Sequence, residues 1–176
     1  MSQYVLVTGG AGYVGSHACK ALAAQGYLPV TIDNLTRGNK WAVKWGPLEV
    51  GDIADRSFVK QVIVKYRPVA AMHFAAFAYV GESVSDPQIY YRNNVAGTIA
   101  LLEVLRDAGI RAIVFSSTCA VYGNPVAQLI AETHPTAPIN PYGRSKLMVE
   151  TILGDYDLLF THFGLSAYEA DRKSVV

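Results

Sequence analysis

Short runs of consecutive apolar residues alternate along the chain with longer stretches whose apolar positions recur every three to four residues. The runs are rich in β-branched residues and predict buried strands near Tyr4–Thr8, Pro29–Ile32, Leu48–Val50, Val69–Phe74 and Ala112–Ser116. The periodic stretches predict helices starting near Tyr13, Arg56 and Pro87, with another after Pro141. Pro87 suits a first turn because the N–H it lacks has no helical partner there. Strand and helix in alternation imply right-handed crossovers, and so an α/β fold with one doubly wound parallel sheet. Its ligand crevice is expected at the carboxyl ends of the strands. The loop Thr36–Pro47 holds Gly38, Gly46 and both tryptophans, and is the longest irregular stretch of the early chain.

Composition narrows the class. At 176 residues and 51% hydrophobic, the chain suffices for one domain with a sizeable core and is too short for two. A formal net charge of +1 with dispersed Lys and Arg gives no footprint for nucleic acid or a membrane surface, and favours a small-molecule partner. No apolar run reaches the ~18 residues of a membrane span, and the N-terminus enters a strand without a basic leader; a cytoplasmic protein is expected. Cys19 and Cys119 are far apart and fit reduced, ordinary thiols. The four histidines show no metal-ligand spacing, so no metal is expected.

The first strand end reads VTGGAGYVGSH, in which Gly9, Gly10, Gly12 and Gly15 satisfy two overlapping phosphate-turn spacings. A strand must there turn sharply into a helix whose N-terminal amides face a pyrophosphate, and side chains at those positions would block the turn or the approach. Asp33 closes the next strand, where a carboxylate accepts from both ribose hydroxyls and repels a 2′-phosphate; NAD is favoured over NADP, with Arg37 keeping the alternative open. The simpler role for Asp33 is to cap a turn. Asp52 in VGDIAD is placed to accept from an adenine amino group, with Ile53 packing on the ring, or else to cap the following helix. Ala75 and Ala76 allow backbone to lie against a dinucleotide or simply pack tightly, and His73 reads as a satisfied core histidine.

Tyr142 and Lys146 stand four residues apart, on one face of a helix that opens at Pro141, and FSSTCAVYG places Ser116, Ser117 and Thr118 at a strand end. A phenol with a pKa near ~10 is a poor base at neutral pH. A positive charge at ~6 Å and an effective dielectric of ~20 is worth about 2.8 kcal/mol, or about two pKa units. Lys146 and a nicotinamide cation together would make Tyr142 a usable base, with Thr118 steadying the same substrate oxygen.

With these residues and the motifs DNL, GDI, HFAA, VGESV, YYRNNVAGT and PYGRSKLMVE, the chain resembles the extended short-chain dehydrogenase/reductase superfamily. Within that superfamily it resembles the UDP-glucose (UDP-galactose) 4-epimerases, from about Tyr4 to about Asp157. The resemblance implies a Rossmann fold and NAD as cofactor. It implies cofactor contacts from Gly9, Gly12, Tyr13, Val14, Gly15, Asp33, Asn34, Asp52, Ile53, Phe74, Ala75, Ala76, Asn93 and Lys146, and catalysis by Tyr142, Lys146 and Thr118. It also implies a UDP-sugar substrate and a homodimer paired through helices around Tyr91–Ala108 and Tyr142–Tyr156. Ala76 stands where many members have glycine and Ala78 where many have a cofactor-contacting lysine, which points to a subgroup handling UDP-pentoses. A sugar-nucleotide dehydratase is the alternative, but its strand-end acids would fall at Cys119 and Ala120. A non-catalytic NAD-binding module is a third reading, against which Tyr142 and Lys146 both stand. A cofactor-binding domain over 1–157 is expected, followed by a divergent tail over 158–176 in place of the lobe that would grip the sugar. A fragment, a frameshift or a truncated gene would each produce that ending.

Overall fold

The computed structural model describes residues 3–126 and 129–162, with backbone alone for 157–162. The described residues form two compact units, one holding the chain up to Ala76 together with Gly97–Phe115, the other Phe77–Ala96 and the chain from Ser116 onward.

The first unit is built on five parallel strands, β1 (Tyr4–Thr8), β2 (Leu28–Asp33), β3 (Leu48–Val50), β4 (Ala70–His73) and β5 (Ala112–Phe115), in the order β3-β2-β1-β4-β5. Central β1 is flanked on both sides, with Leu6 opposite Val30 of β2 and Ala71 of β4. An unbroken apolar run is what such a strand needs, because neither face is left to water. Val5 and Val7 pack with Cys19 and Leu22 of α1 (Tyr13–Ala24). On β1 and β4, Thr8 and His73 turn instead toward α5 (Gly97–Asp107), where Thr98 bonds the His73 ring. Helices therefore cover both faces, and the sheet is doubly wound as the alternation of elements requires. α5 also packs against α2 (Arg56–Tyr66), and buries Leu101 and Leu105 almost completely. Each such side chain contributes about 2 kcal/mol of transfer free energy.

Strand positions agree with the apolar runs to within one residue at each end. The loop 36–47 contains a single 3-10 turn, Lys40–Ala42. β5 pairs only with β4 among the described residues, and Val114 on it is 46% exposed.

The second unit holds α3 (Val80–Ser85), α4 (Pro87–Tyr90), a π-helical stretch (Tyr91–Ala96), a 3-10 turn (Cys119–Tyr122) and α6 (Pro141–His162). A helix does start at Pro87, as its missing N–H predicts, but it widens to π geometry after one turn. Apolar spacing did not reveal the change, because burial at Tyr90 and Asn94 has a four-residue interval that α and π turns both accommodate. α3 was not anticipated at all: its six residues are too few to show a period. Of the expected tail, residues 163–176 lie outside the described residues.

Candidate active site

In the first unit the glycine turn is fixed by contact with the end of β4. Gly9 has φ +74°, and a Cβ built on it would lie 2.5 Å from Ala75 N and 2.7 Å from the Phe74 carbonyl carbon. Only glycine tolerates both conditions. Gly9 N donates to Ile32 O at 2.8 Å and Gly12 N to Gly9 O at 3.0 Å, while Gly15 is buried against the same carbonyl. Gly12 is the N-cap of helix α1 and no side chain caps it, while Tyr13 and Val14 in the first turn are 82% and 57% exposed. Uncapped amides at an open helix N-terminus, beside a turn that no side chain narrows, fit a pyrophosphate.

The Asp33 carboxylate is buried and accepts from two amides, Ala11 N at 3.0 Å and Leu35 N at 2.8 Å. It does hold a turn, whose Leu35 sits at φ 59°, and it also ties the glycine segment to the end of β2. Each oxygen keeps a lone pair beyond these bonds, so ribose hydroxyls remain acceptable partners. Asp52 accepts from Ala54 N at 2.9 Å and from the Asn34 amide at 3.0 Å. It is not the cap of α2, a role taken by Asp55, which accepts from Phe58 N at 3.0 Å. Ile53 is buried, and Phe74, Ala75 and Ala76 are half-buried. His73 is held at both ring nitrogens, by Thr8 at 2.6 Å and Thr98 at 2.8 Å, as expected of a core histidine.

In the second unit, Asn140 and Pro141 start α6. Asn140 Oδ1 accepts from Gly143 N at 2.8 Å, an N-cap bond, and Pro141 fills the first helical position. Gly143 lies so close to the 3-10 turn that a Cβ there would come within 2.6 Å of Ala120 O. The first turn of α6 is thereby brought against the turn that Thr118 caps, with Thr118 Oγ1 accepting from Ala120 N at 3.2 Å. One helical turn beyond Tyr142, Lys146 is 4% exposed and its Nζ donates to Ser116 O at 2.8 Å. Burial pushes its pKa down from 10.5 to about 8, against an opposing pull from Glu150. At neutral pH it therefore remains mostly an ammonium.

Several supports were not singled out by the sequence. Buried Asn94 accepts from Phe77 N at 2.8 Å and donates to Phe77 O at 3.0 Å and to Ser145 Oγ at 3.1 Å. Ser145 in turn donates to Tyr142 O at 2.7 Å. Asn93, the neighbour proposed for the cofactor, donates to Asn94 Oδ1 at 2.9 Å and is half-buried. Tyr90 is fully buried, its hydroxyl lies 2.7 Å from both the Tyr79 carbonyl and the Glu82 carboxylate with a single proton to donate to either, and its ring meets Tyr142 edge-on at 6.4 Å. Ser117 donates to the Glu150 carboxylate. The doublet Asn93-Asn94 was the available signal, but no spacing says which of two adjacent amides turns inward.

No group of three or more His, Cys, Asp or Glu side chains suited to a metal occurs among the described residues, and no helix there is long and apolar enough to cross a membrane. Cys19 is buried and Cys119 exposed, both as free thiols.

One family model, NAD dependent epimerase/dehydratase, matches residues 5–166. The chain belongs to that family. It is 56% identical over 153 residues to a UDP-glucose 4-epimerase of Rhizobium leguminosarum bv. trifolii, an alignment covering 87% of this chain and 47% of the relative. To UDP-arabinose 4-epimerase 1 of Arabidopsis thaliana it is 43% identical over 163 residues, covering 87% and 39%. Among solved structures, UDP-glucose 4-epimerase from Brucella ovis in complex with NAD superposes with a TM-score of 0.89 at 51% identity, covering 91% of this chain and 49% of that one. The chain thus spans about half the length, or less, of the relatives it matches. NAD is the cofactor by which this family is defined.

Proposed function

We propose that these 176 residues are the dinucleotide-binding part of a UDP-sugar 4-epimerase. The observation that carries this reading is the Tyr142–Lys146 pair on α6, with Lys146 buried and still largely charged, in a chain that also carries the Gly9 turn and Asp33. The amides at the start of α1 would take the pyrophosphate, Asp33 the ribose hydroxyls, and Asp52 with Ile53 the adenine. NAD, when bound, supplies the hydride acceptor and donor for inversion at C4. Tyr142 Oη takes the proton of the C4 hydroxyl and later returns it; Lys146 lowers the cost of the phenolate, and Thr118 hydrogen-bonds the same oxygen. Elimination chemistry would require acids after Thr118, where Cys119 and Ala120 stand. The relatives include enzymes named for UDP-glucose and for UDP-arabinose, so hexose and pentose nucleotides are both to be tried.

Remote binding energy is what positions C4, and this chain spans about half the length of the relatives it matches. Incubation with NAD and UDP-galactose or UDP-arabinose, with assay of the C4 epimer, should show conversion about a thousandfold or more below a full-length relative. Tyr142→Phe should abolish it. Conversion indifferent to that substitution overturns the assignment of Tyr142, and turnover matching a full-length relative overturns the half-site reading.

A further inference from the structure

Tyr142, Lys146 and Glu150 follow one another at four-residue intervals on α6 and so share one stripe of the helix. The proposed chemistry uses the first two. Glu150 has no part in it, yet it is half-buried, and its carboxylate is gripped by the Ser117 hydroxyl, next to the carbonyl of Ser116 that holds Lys146 Nζ. Two consecutive residues, Ser116 and Ser117, thereby hold Lys146 and Glu150. We propose that Glu150 is a positioning residue for the Tyr142–Lys146 pair, its anchored carboxylate being the countercharge of the buried ammonium.

The charged and titratable groups on the neighbouring elements are few. The elements packed against α6 are α3, α4, the π stretch and the 3-10 turn. Glu82 of α3 lies beside the Tyr90 hydroxyl of α4, Arg92 of the π stretch is exposed and cationic, and the 3-10 turn presents Cys119 and Tyr122, neither a carboxylate. An ammonium that is 4% exposed is costly to keep charged without an opposite charge nearby, and Glu150 is the group whose attraction opposes the burial of Lys146. Removing that charge while keeping the shape should let Lys146 lose its proton near or below neutrality, and with it the charge that makes Tyr142 a base.

The proposal rests on the epimerase reading only for what the charge is used for; its test reads the titration of Lys146, without turnover. In the 176-residue chain labelled with 13C at lysine Cε, the Lys146 resonance is assigned by its loss in Lys146→Met and followed against pH. Glu150→Gln should lower its midpoint by about one unit, Glu150→Asp should recover most of the shift, and Ser117→Ala should give a smaller shift in the same direction. An unmoved midpoint in folded Glu150→Gln overturns the proposal. If that variant does not fold, an unmoved midpoint in Ser117→Ala overturns it instead. Failure of the epimerase reading would appear separately, as absence of NAD binding with the Lys146 shift intact.

Discussion

Lys146 places a charge where hydrophobic burial would prefer none, and its consequence for stability has a definite sign. Its pKa is about 8 folded against an ordinary 10.5, so between those values the unfolded chain binds more protons than the folded one, and stability rises with pH. The full difference of about 2.5 units corresponds to about 3 kcal/mol, gained between pH 8 and 10.5. Urea denaturation of the parent chain and of Lys146→Met across that range should show the rise in the first and its loss in the second. Asp33 is proposed for a comparable double role. Asp33→Gly removes two backbone bonds and the proposed acceptor for ribose, so NAD should bind about tenfold to a hundredfold more weakly, and discrimination against NADP should relax. Parallel titrations with both cofactors decide it. At this scale the sequence was readable where backbone geometry dictates residue type, as with the Gly9 turn and the turn held by Asp33. It was opaque for Asn94 and Ser145, whose bonds come from a fold that brings distant polar groups together.

Among the elements, central strands were legible because burial on both faces leaves a continuous apolar run, and α6 because Pro141 marks a first helical turn. The π stretch and α3 were not. Their definition comes from long-range bonds, above all the Asn94 amide that satisfies both the N–H and the C=O of Phe77. Asn94→Leu strands those two groups and Ser145, and should cost about 3 kcal/mol in urea denaturation, whereas Asn93→Ala should cost well under 1 kcal/mol. Gly9→Ala should be at least as damaging as Asn94→Leu, because the added Cβ meets backbone at Phe74 and Ala75, which cannot step aside. Equal stability of Asn94→Leu and the parent would show that the Phe77 segment is not held in this way.

For the whole molecule, the expectation that remains to be measured is what half of a relative's length can do. Self-association through the helices around Tyr91–Ala108 and Tyr142–Tyr156 should give a dimer by light scattering, and a monodisperse monomer would contradict it. The Rossmann architecture needs only the alternation of strands and helices to be recognised. The sugar is not marked by any comparable pattern, and relatives named for UDP-glucose and for UDP-arabinose both match the same stretch of chain. The central claim is that the glycine turn and Asp33 form a working dinucleotide site in this chain. Calorimetric titration of the 176-residue chain with NAD tests it most directly: the prediction is saturable one-to-one binding, weakened at least tenfold or so by Asp33→Gly. Folded protein that shows no saturation with NAD, or that binds it equally well without Asp33, would contradict it.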